Sequence, residues 1–275
     1  MRRRRQAAIL WALCAWAAVE GPGAGQVAKT VGDAPVLVRE DAAAGLELWN
    51  TALGSLWIPR PGVWVIKHLD WEQAVQKVYD HPNVRVRRGD VVIDCGAHIG
   101  GFTRVALQAG ARRVVAVEPE TLNLRALRRN LEPEIASGRV TLVEKGVWDL
   151  SGKLPLHRSD VGDSHSLVAS VTGPGDQTIE VITLDELAEA LKLERVDFIK
   201  MDIEGAERRA LRGARQLLRR HGPRLAISTY HQKGDPAAIA GIVWEARPEY
   251  LVESKDLVET PHGTVTKVLF FRLRK

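Results

Sequence analysis

Beyond Val84 the chain alternates short apolar runs with longer stretches whose apolar residues recur at helical spacing, the pattern of a parallel sheet covered by helices. Runs at 91–95, 113–118, 140–144, 196–202 and 224–230 are nearly continuous in aliphatic residues, so they predict strands buried on both faces. Helices are expected between them at 101–109, 120–131, 206–220 and 236–246. The C-terminal stretch YLVESKDLVETPHGTVTKVLFFRLRK reads as two strands joined by a turn. Between 150 and 184 the alternation breaks. There KLPLHR, SLVAS and TIEVITL, with turns at Ser151-Gly152 and Gly173-Pro174-Gly175, predict an inserted set of strands. Upstream, PVLVRE, LELWN, SLWIPR and VWVIK are short β-like runs separated by Gly and Pro, and WEQAVQKVYDH follows with a helical pattern. The expected class is α/β, a doubly wound Rossmann-like sheet with a small N-terminal β cap and a β insertion. The expected layout is a leader over 1–25, the cap over 26–83 and the main domain over 84–275.

The first strand runs into a glycine-rich turn, VVIDCGAHIGGFT, in which Asp94 ends the apolar run and Gly96, Gly100 and Gly101 let the backbone approach a ligand without Cβ interference. The spacing D-x-G-x-x-x-G differs from the dinucleotide fingerprint G-x-G-x-x-G, which crowds its glycines under a pyrophosphate. An acid at this turn would repel a pyrophosphate but can pair with the ammonium of a methionine moiety, which favours S-adenosyl-L-methionine (SAM) over NAD. Ala97 and His98 lie inside the loop, His98 meeting the cofactor through its backbone. Glu118, followed by Pro119, ends the next strand, where an acid takes ribose hydroxyls. Lys145, Gly146 and Val147 follow the third strand and are placed at the adenine by their position in the fold alone.

A third motif, VDFIKMDIEGAE, ends a buried strand in Lys200, Asp202 and Glu204, which share one face if the chain stays extended. A lysine in an apolar strand needs a carboxylate partner. With DCGAHIG, VVAVEPE and LAISTYH, this K-x-D-x-E-G segment resembles the FkbM-type methyltransferases, from about Val84 to the C-terminus. The resemblance implies a class I SAM-dependent fold with a reversed last strand, and O-methyl transfer to hydroxyls of sugars or related metabolites. The first 80 residues match that family poorly. A non-catalytic SAM-binding membrane protein, or a methyltransferase acting on RNA or protein, are the alternative functions. Candidate residues for the reaction are Asp202, His231 at the end of the fifth strand, Lys200 and Glu204. His231, with its near-neutral pKa, or Asp202 would remove the acceptor proton. His157 and His165 in the insertion are candidate acceptor contacts. Asp202, Glu204 and His231 could also assemble as metal ligands, but no dense spacing of ligating residues compels it, and no metal is expected.

Composition changes this picture little. The 275 residues suffice for one full domain and a smaller N-terminal part. Of the formal net charge of +5, Arg2 to Arg5 supply four, so the body is near neutral and no nucleic-acid groove is implied. An N-P-P-Y type motif is also absent. Cys14 and Cys95 suggest neither a disulfide framework nor a thiol metal site. After the arginines, the uncharged run Ala7 to Val19 gives the N-terminus the form of a signal peptide or short anchor, too short to span about 30 Å of hydrocarbon as a helix. A flexible arginine-rich tail is the plainer alternative. SAM is made in the cytosol, which favours a membrane-associated chain facing that side, although an export signal would have the same form. Trp49, Trp57, Trp64 and Trp71 cluster in the cap, as packing for a thin layer or as a sugar- or membrane-facing surface.

Overall fold

The computed structural model describes residues 35–62, 65–66, 70–158, 165–166, 177–260 and 263–274. The leader over 1–25 lies outside them, and among the described residues no helix is long and apolar enough to cross a membrane.

Three strands, β1 (Val36–Asp41), β2 (Leu46–Thr51) and β3 (Gly54–Pro59), form an antiparallel sheet in sequence order. Leu46, Leu56, Ile58 and Ile66 of this cap share a core with Ile99 and Ala126, so the layer is stabilised against the main body rather than alone. The Asn130 side chain bridges the two, accepting from Trp57 N–H and donating to Trp57 and Ile99 carbonyls. Trp57 lies between the Arg39 and Arg129 guanidiniums, 4.8 and 4.7 Å from the ring centroid. Its place is a packing one. VWVIK does not supply a fourth strand: Val65 and Ile66 are helical and buried in the shared core. The helix expected in WEQAVQKVYDH is a wide π-type helix over Asp70–Gln76, stopped at Lys77 by a positive φ of 49°.

The main sheet contains β4 (Val91–Cys95), β5 (Arg113–Val117) and β6 (Val140–Val143), then β11 (Phe198–Met201), β12 (Arg224–Ser228), β13 (Tyr250–Thr260) and β14 (Gly263–Leu273). Their order is β13-β14-β12-β11-β4-β5-β6, with β14 antiparallel to both neighbours and β4, β5, β6, β11 and β12 mutually parallel. Alternate residues feed two cores: Ile93, Val115, Ile199 and Ile227 face one, while Val92, Val114, Phe198 and Ala226 face the other. This is why the strands read as unbroken apolar runs. The register sets Lys200 directly opposite Asp94.

Two helices differ from expectation. The stretch 206–220 is broken into Glu207–Arg212 and Arg215–His221 at Gly213, where a Cβ would lie 2.4 Å from the Trp148 carbonyl oxygen. Thr183 and Leu184 leave the predicted strand and begin the helix Leu184–Ala190, with the Thr183 hydroxyl accepting from Glu186 N–H at 3.0 Å. The insertion forms a second sheet from β7 (Gly146–Val147), β8 (Gly152–Arg158), β9 (His165–Ser166) and β10 (Gln177–Ile182), in the order β7-β10-β8-β9. Gly173-Pro174-Gly175, most of SLVAS and the side chains of His157 and His165 lie outside the described residues.

Candidate active site

The carboxyl ends of β4 and β11 meet backbone to backbone. Gly96 has φ +76°, and a Cβ there would lie 1.9 Å from the Asp202 carbonyl oxygen, so no other residue fits without moving one segment. Its N–H and that of Ala97 both donate to Val117 O at 3.0 Å, which ties the loop to β5 as well. Gly100, at φ +92°, begins the helix Gly101–Gln108 with Leu131 packed against its α-carbon. Beneath the loop, Lys200 Nζ donates to Gly96 O at 2.7 Å and lies 3.3 Å from Asp94 Oδ1. Burial works against its charged form, but Asp94 and Asp202 outweigh it and raise its pKa. Asp94 is fully buried, receives a hydrogen bond from Thr103 Oγ1 at 2.7 Å, and does not line the cavity above. The expected contact between Asp94 and a methionine ammonium is therefore not one its carboxylate reaches. Asp94 and Lys200 act on the cavity through the loop they hold.

That cavity has a volume of about 330 Å³ and is walled by Gly96, Ala97, His98, Glu118, Pro119, Asn123, Lys145, Gly146 and Val147 toward one side. Glu118 is only 5% exposed. Its Oε2 accepts from His98 N–H at 2.8 Å, and its Oε1 accepts from Glu120 N–H at 3.0 Å and from Asn123 Nδ2 at 3.3 Å. Burial pushes its pKa up to about 7 against the pull of these donors. His98, at a positive φ of 53°, is the residue whose N–H meets this carboxylate.

Toward the other side the wall is Lys200, Asp202, Glu204 and Tyr230, with Glu72 and Gln73 from the π-type helix. Asp202 Oδ2 accepts from the Tyr79 hydroxyl at 2.6 Å. Burial alone would raise the Asp202 pKa, yet Lys200, His231 and Tyr79 together draw it below its ordinary value. Glu204 has a positive φ of 54°, and Gly205 follows at +95°. His231 does not line the cavity. Its ring packs on Tyr230, with Nδ1 3.0 Å from Glu207 Oε1 and Nε2 3.5 Å from carboxylate oxygens of both Asp202 and Glu204. Burial opposes protonation there, but Glu207 first, and then Asp202 and Glu204, hold the His231 pKa up at about 10. A base at the cavity wall is thus not what this ring presents.

Sequence reasoning left out Tyr79 and Glu207. Glu207 stands inside the quoted K-x-D-x-E-G-A-E segment and was legible as a further acid. Tyr79 had no local signal, being brought to Asp202 across 123 positions by its packing on Phe102 in a core of the main sheet.

The FkbM methyltransferase domain matches residues 94–251, more than half of the sequence. The chain belongs to this family. It is 26% identical over 185 residues to the hexuronic acid methyltransferase AglP of Haloferax volcanii, covering 67% of this chain and 73% of that one. To the 2-O-methyltransferase NoeI of Sinorhizobium fredii it is 27% identical over 146 residues, 46% of this chain and 58% of that one. Among solved structures, methyltransferase FkbM from Methylobacillus flagellatus superposes with a TM-score of 0.53 at 27% identity, over 71% of this chain and 47% of that one. The chain is an FkbM methyltransferase, and its fold and family make SAM the cofactor. The site fits that group: a loop built on a glycine a Cβ could not replace, beside a buried carboxylate on the cavity wall that retains lone pairs for hydroxyl donors.

Proposed function

We infer that this chain transfers a methyl group from SAM to a hydroxyl of a sugar, glycan or related metabolite. The observation that carries the reading is one cavity with Glu118 on one wall and Asp202 and Glu204 on another, lined as well by Glu72 and Gln73. A wall of carboxylates and an amide suits a ligand rich in hydroxyl donors. The relatives named for methylation of a hexuronic acid and for 2-O-methyl transfer support the same acceptor class.

When bound, SAM supplies an electrophilic methyl on a positively charged sulfur. Lys200 fixes the Gly96 loop, while Glu118 would accept from ribose hydroxyls and the backbone of Gly146 and Val147 would hold the adenine. Pro119, Ala97, His98 and Gly100 shape the loop and wall around them. Asp202, ionised and held by the Tyr79 hydroxyl, faces the cavity and receives the acceptor's hydroxyl proton. Glu204 adds a second acceptor for the incoming hydroxyls. His231 is a positioning residue, acting through Asp202 and Glu204 rather than on the acceptor.

No nucleic-acid partner belongs to this reading, because the charge excess sits in Arg2 to Arg5. The basic and apolar leader supports association with a membrane on its cytosolic side. The deciding assay offers SAM labelled in its methyl group to a panel of neutral sugars and uronic acids, then treats the products with alkali. A base-stable methyl ether is expected. Transfer only to a carboxyl, as a base-labile ester, or to no sugar at all, would overturn the assignment.

A further inference from the structure

Glu207 begins the helix Glu207–Arg212 and is fully buried, where a carboxylate persists only beside compensating positive charge. Its Oε1 accepts from Ile203 N–H at 2.8 Å, but among the described residues no hydrogen bond reaches Oε2. The His231 side chain is 9% exposed, with Nδ1 3.0 Å from Glu207 Oε1 on one side of the ring and Nε2, which has no hydrogen-bond partner among the described residues, 3.5 Å from both Asp202 Oδ1 and Glu204 Oε2 on the other. Asp202 Oδ1 likewise has no hydrogen-bond partner among the described residues. One ligating atom from each of Asp202, Glu207 and His231 lies within 4.8 Å of the others.

Hydrogen bonding does not account for this arrangement. Nε2 carries one N–H at most, and the two carboxylates facing it, which repel one another, stand at 3.5 Å, beyond ordinary hydrogen-bond distance. An ion on Nε2 does account for the pair facing it, since two ligands each about 2.1 Å from one ion lie about 3.0 to 3.4 Å apart without bonding to each other, while Glu207 on the Nδ1 side orients the ring. The ligand chemistry is also specific. Carboxylate oxygens suit hard divalent cations and an imidazole nitrogen suits first-row transition ions, and Mn²⁺ accepts both.

We propose that Asp202, Glu204 and His231, with Glu207 orienting the ring, form a binding site for a divalent cation of the Mn²⁺ type. Asp202 and Glu204 also line the cavity, so the ion has a route in and an open side facing the acceptor. Ion binding goes beyond the methyl-transfer reading and is measured without it. The chain, stripped of metal with chelator, is titrated with Mn²⁺ alone and followed by electron paramagnetic resonance, in which binding removes the sharp signal of the hydrated ion. The expected result is one bound ion per chain, with affinity reduced at least about tenfold in Glu207→Gln and in His231→Asn. Circular dichroism checks that both variants remain folded. Glu204→Gln, at a side chain 31% exposed, gives a third reading that does not disturb the buried groups and should also weaken binding. An undiminished free-ion signal with the wild-type chain, or wild-type affinity in the folded variants, would overturn the site.

Discussion

At Glu118 burial and ligand recognition pull in opposite directions. Its pKa in the folded chain is about 7, above the ordinary 4.5, because burial disfavours the charged carboxylate. As pH rises the unfolded chain loses this proton first, so the folded chain binds more protons between those values. Stability from this group is complete below the ordinary pKa and is lost as pH climbs to about 7, at up to about 1.4 kcal/mol per pH unit. Glu118→Gln cannot titrate, so urea denaturation across that window should show a flatter loss of stability than in the wild type. The same variant should bind SAM more weakly by about 1 to 3 kcal/mol, since an amide replaces a charged hydrogen-bond acceptor. Wild-type calorimetric affinity would remove Glu118 from the ribose site. This acid was readable in the sequence because a strand end fixes its place. The burial of Asp94 was not, since it follows from the register that sets Lys200 opposite it.

The strands of the main sheet were legible because burial on both faces leaves a local mark, a run without polar alternation. Helix boundaries depend on more distant contacts. Gly213 breaks its helix by packing against the Trp148 carbonyl, an encounter no nearby residue announces. The helix Leu184–Ala190 did carry a local sign, Thr183 three positions before Glu186, the spacing of an N-terminal cap. An apolar run read as strand overrode it. Thr183 is 8% exposed and its hydroxyl accepts from Glu186 N–H, so Thr183→Ala should lower unfolding free energy by about 0.5 to 2 kcal/mol in chemical denaturation. A variant as stable as the wild type would mean that the helix start is held by its packing alone.

Across the whole molecule, the functional surface is assembled from parts far apart in sequence. The segment between the cap sheet and β4 sends Tyr79 to Asp202 and sets Glu72 and Gln73 on the cavity wall, while Asn130 fastens the cap to the body through Trp57. Such contacts leave no periodicity, which is why the cofactor half of the site was more legible than the acceptor half. A glycine loop and a strand-end acid are local patterns, whereas the acceptor wall is made by docking one layer on another. His231 illustrates the difference: its place after the fifth parallel strand was predicted, but only the fold reveals that its ring is enclosed between Glu207 on one nitrogen and the cavity-lining Asp202 and Glu204 on the other. The central claim is that Asp202 stands at the reaction centre of a sugar O-methyltransferase. Its most direct test is steady-state turnover of Asp202→Asn with the best sugar acceptor, beside calorimetry of SAM binding to the same variant. The account predicts that kcat falls about 10²-fold or more while cofactor binding is still registered; turnover equal to the wild type would contradict it.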